Sequence, residues 1–239
     1  MPVNNKIKKP RITVFVPAYN EEKLIAQTLN CLKNQDIHED YELLVVDNAS
    51  TDKTAQIAKN SGARVVSEPQ KGNRFAVERG FAEARGDIVI QTDADTRPDK
   101  SFIRKIAQEY DDPKVVGVGT RIKFFDAEPW VNPTFKFMTI FNFRESMWGA
   151  SLSARKDAWR KVGGFNHGFD LNSDAYFTIR LRKIGKVVII KDYYLEMSGR
   201  RFCGNIVDVA QNSKDLFLNG TYMMFTGKPI SKKPFKDIR

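Results

Sequence analysis

The sequence has few of the residues that cross-link small domains or bind transition metals. Its 239 residues include two cysteines and two histidines, too few for a disulfide framework or a zinc cluster. Apolar runs fall short of the roughly 20 residues that span a bilayer. The basic residues 1–9 precede no apolar stretch of the kind found in a secretory signal. The sequence therefore predicts a soluble protein of the cytoplasm.

Positive charge is what the sequence has in excess. Lysine and arginine number 39 against 29 acidic residues, a net charge of +10. The hydrophobic share of 41% and the charged share of 28% are those of a globular protein, which excludes overall disorder. The surplus charge favours an anionic partner, but composition alone leaves open whether that partner is a nucleotide, a nucleic acid or a membrane surface.

The first half of the chain alternates short apolar runs with amphipathic segments. Four strands are predicted, at residues 11–16, 41–46, 64–67 and 87–92, and each precedes a segment with helical spacing of apolar residues. Such a series predicts an α/β fold with a mostly parallel, Rossmann-like sheet and helices on both faces. The second half is less regular, with strands predicted at 115–125 and 187–190 and helices at 156–162 and 173–183.

Acidic residues follow three of the four predicted strands, at the sheet edge where open parallel sheets bind ligands. Asp93-Ala94-Asp95 comes directly after the fourth strand. Two carboxylates separated by one residue can point at a common cation while Ala94 faces away. Mg²⁺ and Mn²⁺ prefer such oxygen ligands, and Mg²⁺ is usually held by one or two carboxylates together with substrate phosphates. The pattern predicts a divalent metal site.

Five segments carry a resemblance to a known family. They are VPAYNEE (16–22), VVDNASTDKT (45–54), GDIVIQTDAD (86–95), GASLSARKDAWRKVGGF (149–165) and SDAYFTIRLRKIG (173–185). In this order they resemble the inverting family-two glycosyltransferases, which have the glycosyltransferase A-type fold, over residues 11–201. The resemblance implies a flexible basic N-terminus (1–10), a nucleotide-binding half (11–98), a smaller acceptor-binding half (99–201) and a basic, aromatic extension (202–239).

The resemblance further implies a nucleoside-diphosphate sugar donor and an Mg²⁺ or Mn²⁺ ion. Asp93 would lie near the ribose and diphosphate and share the metal with Asp95, its principal ligand. Asp47 would contact the edge of the base. The remaining nucleotide-binding residues would be Pro17, Ala18, Tyr19, Glu21 and Lys71, although the Lys71 charge could equally be solvated.

Asp174 is the residue that the resemblance implies as general base, with Asp170 as the alternative. The family commonly has Glu-Asp at this position, and here the pair is Ser173-Asp174. The glutamate is replaced by Ser173, but the aspartate that would act as base is kept. Asp174 could also have no catalytic role and only stabilise the N-terminus of a helix through its negative charge. A Ser-x-Arg-Arg-like turn closes on the diphosphate in related enzymes, which assigns Arg200 and Arg201 to that role.

The acceptor is less defined than the donor. Eight aromatic residues lie within 25 positions, and this density permits an apolar groove or contact with a membrane interface as well as a core. They are Phe124, Phe125, Trp130, Phe135, Phe137, Phe141, Phe143 and Trp148. With the positive charge, they favour a glycan or a polyprenyl- or other lipid-linked acceptor and association with the inner face of the cell membrane.

Other classes explain less of the sequence. A nicotinamide-dependent oxidoreductase would need a G-x-G-x-x-G turn after the first strand, where this chain has PAYNEE. A basic nucleic-acid-binding α/β protein accounts for the charge but not for the acids at the strand ends. His38 and His167 lie in predicted loops and are not interpreted as metal ligands. A catalytically inactive, nucleotide-sugar-binding homologue stays open because the glutamate before Asp174 is missing.

Overall fold

The strands belong to one eight-stranded sheet in a computed structural model that describes residues 9–133, 146–165, 172–200, 218, 222 and 226. The strands are β1 (Ile12–Ala18), β2 (Tyr41–Asp47), β3 (Arg64–Ser67), β4 (Ile88–Gln91), β5 (Thr96–Arg97), β6 (Val115–Phe124), β7 (Leu152–Arg155) and β8 (Lys186–Met197). The helices are α1 (Ile25–Lys33), α2 (Thr54–Asn60), α3 (Asn73–Glu83), α4 (Phe102–Glu109), α5 (Lys156–Lys161) and α6 (Ser173–Leu181). The sheet order is β3-β2-β1-β4-β7-β6-β8-β5.

Strands β3, β2, β1 and β4 pair in parallel, as the alternation of strands and helices predicts. The sheet is covered on both faces, with Val14, Ile25 and Ile103 in the core on one side and Phe15, Phe81 and Phe177 in the core on the other. Because every second residue of a strand points to the same face, the continuous apolar runs of β1, β2 and β4 fill both cores. The predicted α/β fold class is confirmed.

Strand β7 was not predicted, and it runs antiparallel between β4 and β6. Its sequence, LSAR, lacks the apolar run of a buried strand, yet Ser153 is fully buried. The Ser153 hydroxyl is 2.8 Å from the Tyr110 hydroxyl and donates to the Val118 carbonyl at 2.8 Å. These bonds satisfy a polar group that would otherwise be costly to bury. The sheet is therefore parallel on one side of β4 and mixed on the other.

Strand β8 is longer than the predicted strand 187–190 and carries its last residues to the edge of the sheet where β4 ends. It pairs in parallel with β6, with an irregularity between Thr120 and Arg121, and its final residues pair with β5. The backbone N–H of Ser198 then donates to the Asp95 carbonyl at 2.9 Å. This connection places residues 198–200 beside the Asp93-Ala94-Asp95 segment.

Helices α3, α5 and α6 pack on the sheet face whose core is richest in aromatic side chains. Phe81 lies at the centre of this core and contacts Phe15 edge-to-face at 5.4 Å and Phe165 at 5.7 Å between ring centroids. Phe165 stacks on Phe177 at 4.4 Å. The stack holds α6 against the sheet and so positions its first turn. Within the described ranges, none of the helices combines the length and apolar character needed to cross a membrane.

Candidate active site

The loops that follow β1 and β2 are joined by hydrogen bonds between them. Asn20, at φ 53°, accepts a hydrogen bond from the Thr51 N–H through Oδ1 at 2.8 Å. The Glu21 N–H donates to the Thr54 hydroxyl at 2.7 Å. Since Asn20 is one of the residue types that tolerate a positive φ, the turn needs no glycine. The two loops are thereby held together at the carboxyl ends of β1 and β2.

Asp47, the last residue of β2, has a buried carboxylate oxygen without a hydrogen-bond donor in the described part of the chain. In the parallel ladders it lies between Ala18 of β1 and Ser67 of β3. Its Oδ1 atom is inaccessible to solvent and has no hydrogen-bond partner among the described residues. Leaving a buried acceptor unsatisfied costs about 1–3 kcal/mol. An N–H donor on a ligand at this sheet edge would remove that cost.

Asn48, the next residue, holds the loop 68–72 against the end of the sheet. Its amide donates to the carbonyls of Glu68 and Gln70 at 3.1 and 2.7 Å and accepts a bond from the Gly72 N–H at 2.8 Å. The side chain is 4% exposed. A primary amide matches this mixture of acceptors and donor, which a carboxylate or hydroxyl of similar size does not.

We expect Asn48→Ala to lower the free energy of unfolding by about 2–3 kcal/mol, because three backbone groups lose their partner. Asn60→Ala is the matched control, since Asn60 is exposed and its side chain accepts a bond from the exposed Gln56 side chain; its effect should stay within about 0.5 kcal/mol. Urea denaturation followed by circular dichroism measures both. Equal losses in the two variants would show that the loop is not held through Asn48.

Tyr19 and Lys71 approach each other across the opening between these loops. The Lys71 Nζ atom lies 3.4 Å from the Tyr19 hydroxyl and 5.2 Å from the centre of its ring. Lys71 is exposed and Tyr19 is partly buried. A cation over an aromatic face is attracted to it by about 0.5–1 kcal/mol at an exposed site. The ring and the ammonium group thus lie at the same edge of the sheet as Asp47.

The Asp93-Ala94-Asp95 segment is held in the turn between β4 and β5. Ala94 is 3% exposed and belongs to the core, and its carbonyl lies 2.8 Å from the Thr28 hydroxyl. The Thr96 hydroxyl donates to the Asp93 carbonyl at 2.9 Å. Asp95 is 7% exposed, whereas Asp93 is only partly buried. The backbone of the D-x-D segment is therefore fixed from both sides.

Arg200 links Asp95 to Glu21. Its Nη2 atom lies 3.0 Å from Asp95 Oδ2 and 2.5 Å from Glu21 Oε1. The Glu21 and Asp95 side chains are 4% and 7% exposed, while the arginine side chain is 33% exposed. Buried carboxylates need a compensating cation. The residues that follow β1 and β4 therefore form an anionic position whose charge Arg200 compensates in part.

The oxygen ligands at this position fit a hard divalent cation. Within residues 9–133, 146–165 and 172–200, no group of three or more His, Cys, Asp or Glu side chains is arranged as a metal site. Two carboxylates completed by substrate phosphates are nevertheless an ordinary ligand set for Mg²⁺. Asp95 already holds a positive group, the guanidinium of Arg200. Asp93 and Asp95 are the residues that would hold the metal.

Asp174 lies in the first turn of α6 and accepts two backbone hydrogen bonds. The Ala175 N–H donates to Oδ1 at 2.8 Å and the Gly149 N–H donates to Oδ2 at 3.0 Å. Burial raises the pKa of the Asp174 carboxyl above its usual range, although both N–H groups act in the opposite direction. An aspartate with a raised pKa is a stronger base once ionised, as proton abstraction requires.

The bond from Gly149 brings Asp174 to the sheet edge that carries Asp93 and Asp95. Strand β7 is antiparallel to β4, with Leu152 opposite Gln91, so the residues before β7 lie beyond the carboxyl end of β4. A Cβ atom placed on Gly149 would lie 3.4 Å from Gln91 Nε2 and 4.0 Å from Asp174 Oδ2. A carboxylate of raised pKa and the D-x-D segment therefore border one edge.

The remaining predicted site residues either lie in β1 or fall outside the described residues. Pro17 and Ala18 are buried within β1, which extends beyond the predicted end at residue 16. Because β4 pairs with β1 only as far as Phe15, Pro17 removes no hydrogen bond from that pair. Arg201 and Asp170, the second diphosphate arginine and the alternative base, lie outside the described residues, as do four of the aromatics: Phe135, Phe137, Phe141 and Phe143.

Three residues at this edge were not assigned a role from the sequence. Asn48 holds the loop 68–72, and Asp126 accepts the Ser198 hydroxyl at 2.7 Å and the Gly199 N–H. Gln91 is 2% exposed, and its Oε1 atom has no hydrogen-bond partner among the described residues. Gln91 could have been noticed in the sequence, because it is a polar residue at the end of the apolar strand IVIQ. Asp126 could not, because its contacts with Ser198 and Gly199 form only in the folded chain.

Comparison with known proteins identifies relatives over most of the chain. The family model described as Glycosyl transferase family 2 matches residues 13–179. The probable glycosyltransferase YdaM of Bacillus subtilis (strain 168) is 27% identical over 205 residues, which cover 76% of this chain and 49% of that protein. The undecaprenyl-phosphate 4-deoxy-4-formamido-L-arabinose transferase of Proteus mirabilis (strain HI4320) is 32% identical over 121 residues, 46% of this chain and 37% of that protein. This chain spans about half or less of these relatives.

A solved structure shares the fold. The mannosyltransferase PcManGT from Pyrobaculum calidifontis, in complex with GDP-Man and Mn²⁺, superposes with a TM-score of 0.74 at 21% sequence identity. The match covers 96% of this chain and 68% of that one. At this level of identity the likeness concerns the fold.

Proposed function

The chain belongs to glycosyltransferase family 2 and has the glycosyltransferase A-type fold, and from this premise we propose that it is a metal-dependent, inverting glycosyltransferase. The donor is a nucleoside-diphosphate sugar and the acceptor carries a hydroxyl or phosphate group. The proposal depends on one observation above all: Asp47, Asp95 and Asp174 border the carboxyl edge of the same sheet. This is the edge at which open α/β sheets bind ligands.

The donor nucleotide lies across the ends of β1 and β2. The unused Oδ1 atom of Asp47 accepts an N–H group from the edge of the base, and Tyr19 and Lys71 border the opening. Glu21 and the turn after Pro17 and Ala18 complete the base and ribose pocket. A buried acceptor favours a base that presents an N–H donor, because a base without one would leave Asp47 unsatisfied.

Sugar transfer proceeds as a single displacement. Asp174 removes the proton from an acceptor hydroxyl, or from the protonated form of an acceptor phosphate, and the acceptor oxygen forms a bond to the anomeric carbon on the face opposite the diphosphate. The bond between that carbon and the diphosphate oxygen breaks, and its electron pair leaves with the nucleoside diphosphate. Asp93 and Asp95 would hold the Mg²⁺ or Mn²⁺ ion, which would supply positive charge to stabilise the departing diphosphate. Arg200, joined by Arg201, binds the diphosphate through its planar guanidinium.

We propose a lipid-linked phosphate as the acceptor. The Proteus mirabilis relative is named for undecaprenyl phosphate, and an aromatic residue of the loop after β6 lies beside Arg97 of β5, two residues after Asp95. The Arg97 guanidinium stacks on Phe125 at 3.6 Å, and Trp130 is 39% exposed. Asp126 joins this loop to Ser198. An apolar chain with an anionic head matches such a surface and the net charge of +10.

Turnover with a panel of donors tests the proposed function. The purified chain is mixed with uridine, guanosine or thymidine diphosphate sugars, polyprenyl phosphate in detergent, and Mg²⁺, Mn²⁺ or EDTA, and products are identified by mass spectrometry. We expect one donor class to be used, transfer to stop with EDTA, and the product to have inverted anomeric configuration by NMR. Nucleotide binding without turnover for every donor would instead identify an inactive homologue.

Vesicle flotation tests the membrane component separately. Vesicles containing anionic lipid should carry the chain upward at low salt and release it at high salt, because screening weakens attraction between exposed charges. Neutral vesicles are the control. No flotation at low salt would remove membrane association from the proposal and leave the transferase activity untouched.

A further inference from the structure

Arg200 occupies the place where positive charge is required when the donor binds. Its Nη2 atom contacts carboxylates from two strand ends, Glu21 at 2.5 Å and Asp95 at 3.0 Å. Asp95 Oδ2, the oxygen nearest the guanidinium, belongs to the residue that would be the principal metal ligand. A guanidinium and a divalent ion that approach the same carboxylate oxygen repel each other, so the two compete for Asp95 Oδ2.

The backbone that carries Arg200 is anchored on both sides, whereas its side chain is partly exposed. The Ser198 N–H donates to the Asp95 carbonyl at 2.9 Å, and Asp126 binds both the Ser198 hydroxyl and the Gly199 N–H. A Cβ atom on Gly199 would lie 2.4 Å from Ala127 Cβ, so this turn packs against the loop after β6. The arginine side chain is 33% exposed and has several rotatable bonds.

We propose that Arg200 is an internal counter-ion that occupies the metal position of the donor-free protein and moves to the diphosphate when metal and donor bind. This inference rests on the proposed function and extends it to the order of binding. The metal alone binds weakly because it must displace the guanidinium from Asp95. A diphosphate gives Arg200 a new anionic partner, so metal and donor bind cooperatively, each raising the affinity for the other by the same factor.

The proposal predicts effects of opposite sign from a single substitution. Arg200→Gln removes the competing charge, so Mn²⁺ alone should bind about tenfold more tightly, a size typical of coupled sites. The same substitution removes a diphosphate ligand, so nucleoside diphosphate in the presence of Mn²⁺ should bind about tenfold more weakly. If the ion pairs of Arg200 only stabilised the fold, Arg200→Gln would not raise the affinity for Mn²⁺, because their loss would make the positions of Glu21 and Asp95 less well defined.

The experiment measures Mn²⁺ binding to the full chain by electron paramagnetic resonance of the free ion, with and without uridine or guanosine diphosphate. Arg200→Lys, which keeps the charge, should retain weak binding of Mn²⁺ alone. Arg79→Gln is the control, because Arg79 forms an exposed ion pair with Glu83 at 3.1 Å on α3 and should leave both affinities unchanged. Circular dichroism establishes that each variant is folded.

The outcomes separate the inference from the proposed function. Tighter Mn²⁺ binding by Arg200→Gln but not by Arg200→Lys supports the counter-ion. Unchanged or weaker Mn²⁺ binding by Arg200→Gln, in a protein that still binds Mn²⁺ with nucleotide, overturns the counter-ion and leaves the transferase proposal standing. No binding of Mn²⁺ to any variant, with or without nucleotide, overturns both.

Discussion

Asp174→Asn is expected to lower kcat by about 10²–10⁴-fold, the usual contribution of a general base. The asparagine side chain is almost the same size but cannot take a proton from the acceptor. Nucleoside diphosphate affinity should change little, because the contacts of Asp174 are to Gly149 and Ala175 and not to the donor side of the edge. Steady-state kinetics together with isothermal titration of the nucleotide measures both quantities.

Asp157→Asn provides a closely matched control for this substitution. Asp157 is also the second residue of its helix, and it also accepts the N–H of a following alanine, Ala158, at 2.8 Å. Loss of a helix N-terminal acid would affect both variants alike, by about 0.3–1 kcal/mol of stability. Asp174→Asn also alters the bond from the Gly149 N–H, so circular dichroism first establishes that the variant is folded, and a lower turnover in this variant alone then reports loss of the base. Similar kcat values for the two variants would exclude Asp174 as the base.

The pH dependence of turnover gives a second measure of the same group. Burial raises the pKa of Asp174, and a base must be ionised to act. The rate should therefore fall as pH is lowered through a pKa that lies above that of an ordinary aspartate, about 3.9. The acid limb should be absent from the residual activity of Asp174→Asn. An acid limb that is identical in both proteins would assign that titration to another group.

Asp95→Ala is expected to lower kcat/KM by at least about 10²-fold, because stabilising the departing diphosphate through a metal contributes several kcal/mol. Removing this carboxylate also removes one of the carboxylate partners of Arg200 and leaves its ion pair with Glu21. The variant should lose the Mn²⁺-dependent part of nucleotide binding. A thermal-shift titration with nucleoside diphosphate, run with Mn²⁺ and with EDTA, measures that part directly.

Asp99→Asn is the control for the metal ligand. Asp99 lies four residues after Asp95 and is exposed, and its carboxylate binds the Ser101 N–H at 2.7 Å. Its loss should affect the start of α4 and leave the metal dependence intact. If Asp95→Ala retained a full response to Mn²⁺, the D-x-D segment would not be the metal site and the metal-dependent mechanism would be wrong.

The parallel half of the sheet was predictable because each of its strands can be identified from the residues of that strand and of the segment that follows it. Each of β1, β2 and β4 is an apolar run short enough to be a strand, and each precedes an amphipathic segment that covers it. Asp47 and the Asp93-Ala94-Asp95 segment follow these runs directly. Because the strands are parallel, their carboxyl ends lie at the same edge of the sheet. The acidic residues that follow them are therefore expected to lie near one another.

Strand β7 and the partners of Arg200 were not predictable in this way. The sequence LSAR is accepted as a buried strand because Tyr110 and Val118, from elements more than 30 residues away, bind Ser153. The contact between Arg200 and Asp95 depends on β8 continuing to Met197 and pairing with β5. Such contacts form between the strand edges and the buried charges that remain without a partner after the rest of the sheet has assembled.

The local hydrophobic pattern thus established the parallel strands β1, β2 and β4 and the carboxylates at their ends, since burial of a short apolar run is decided by its own residues. The tertiary structure alone decided that the Gly149 N–H holds Asp174 at the same edge, and that a guanidinium 105 positions along the chain from Asp95 neutralises it. The antiparallel position of β7 between β4 and β6, and the ion pair between Arg200 and Asp95, depend on the tertiary path of the chain. No single segment of the sequence determines that path.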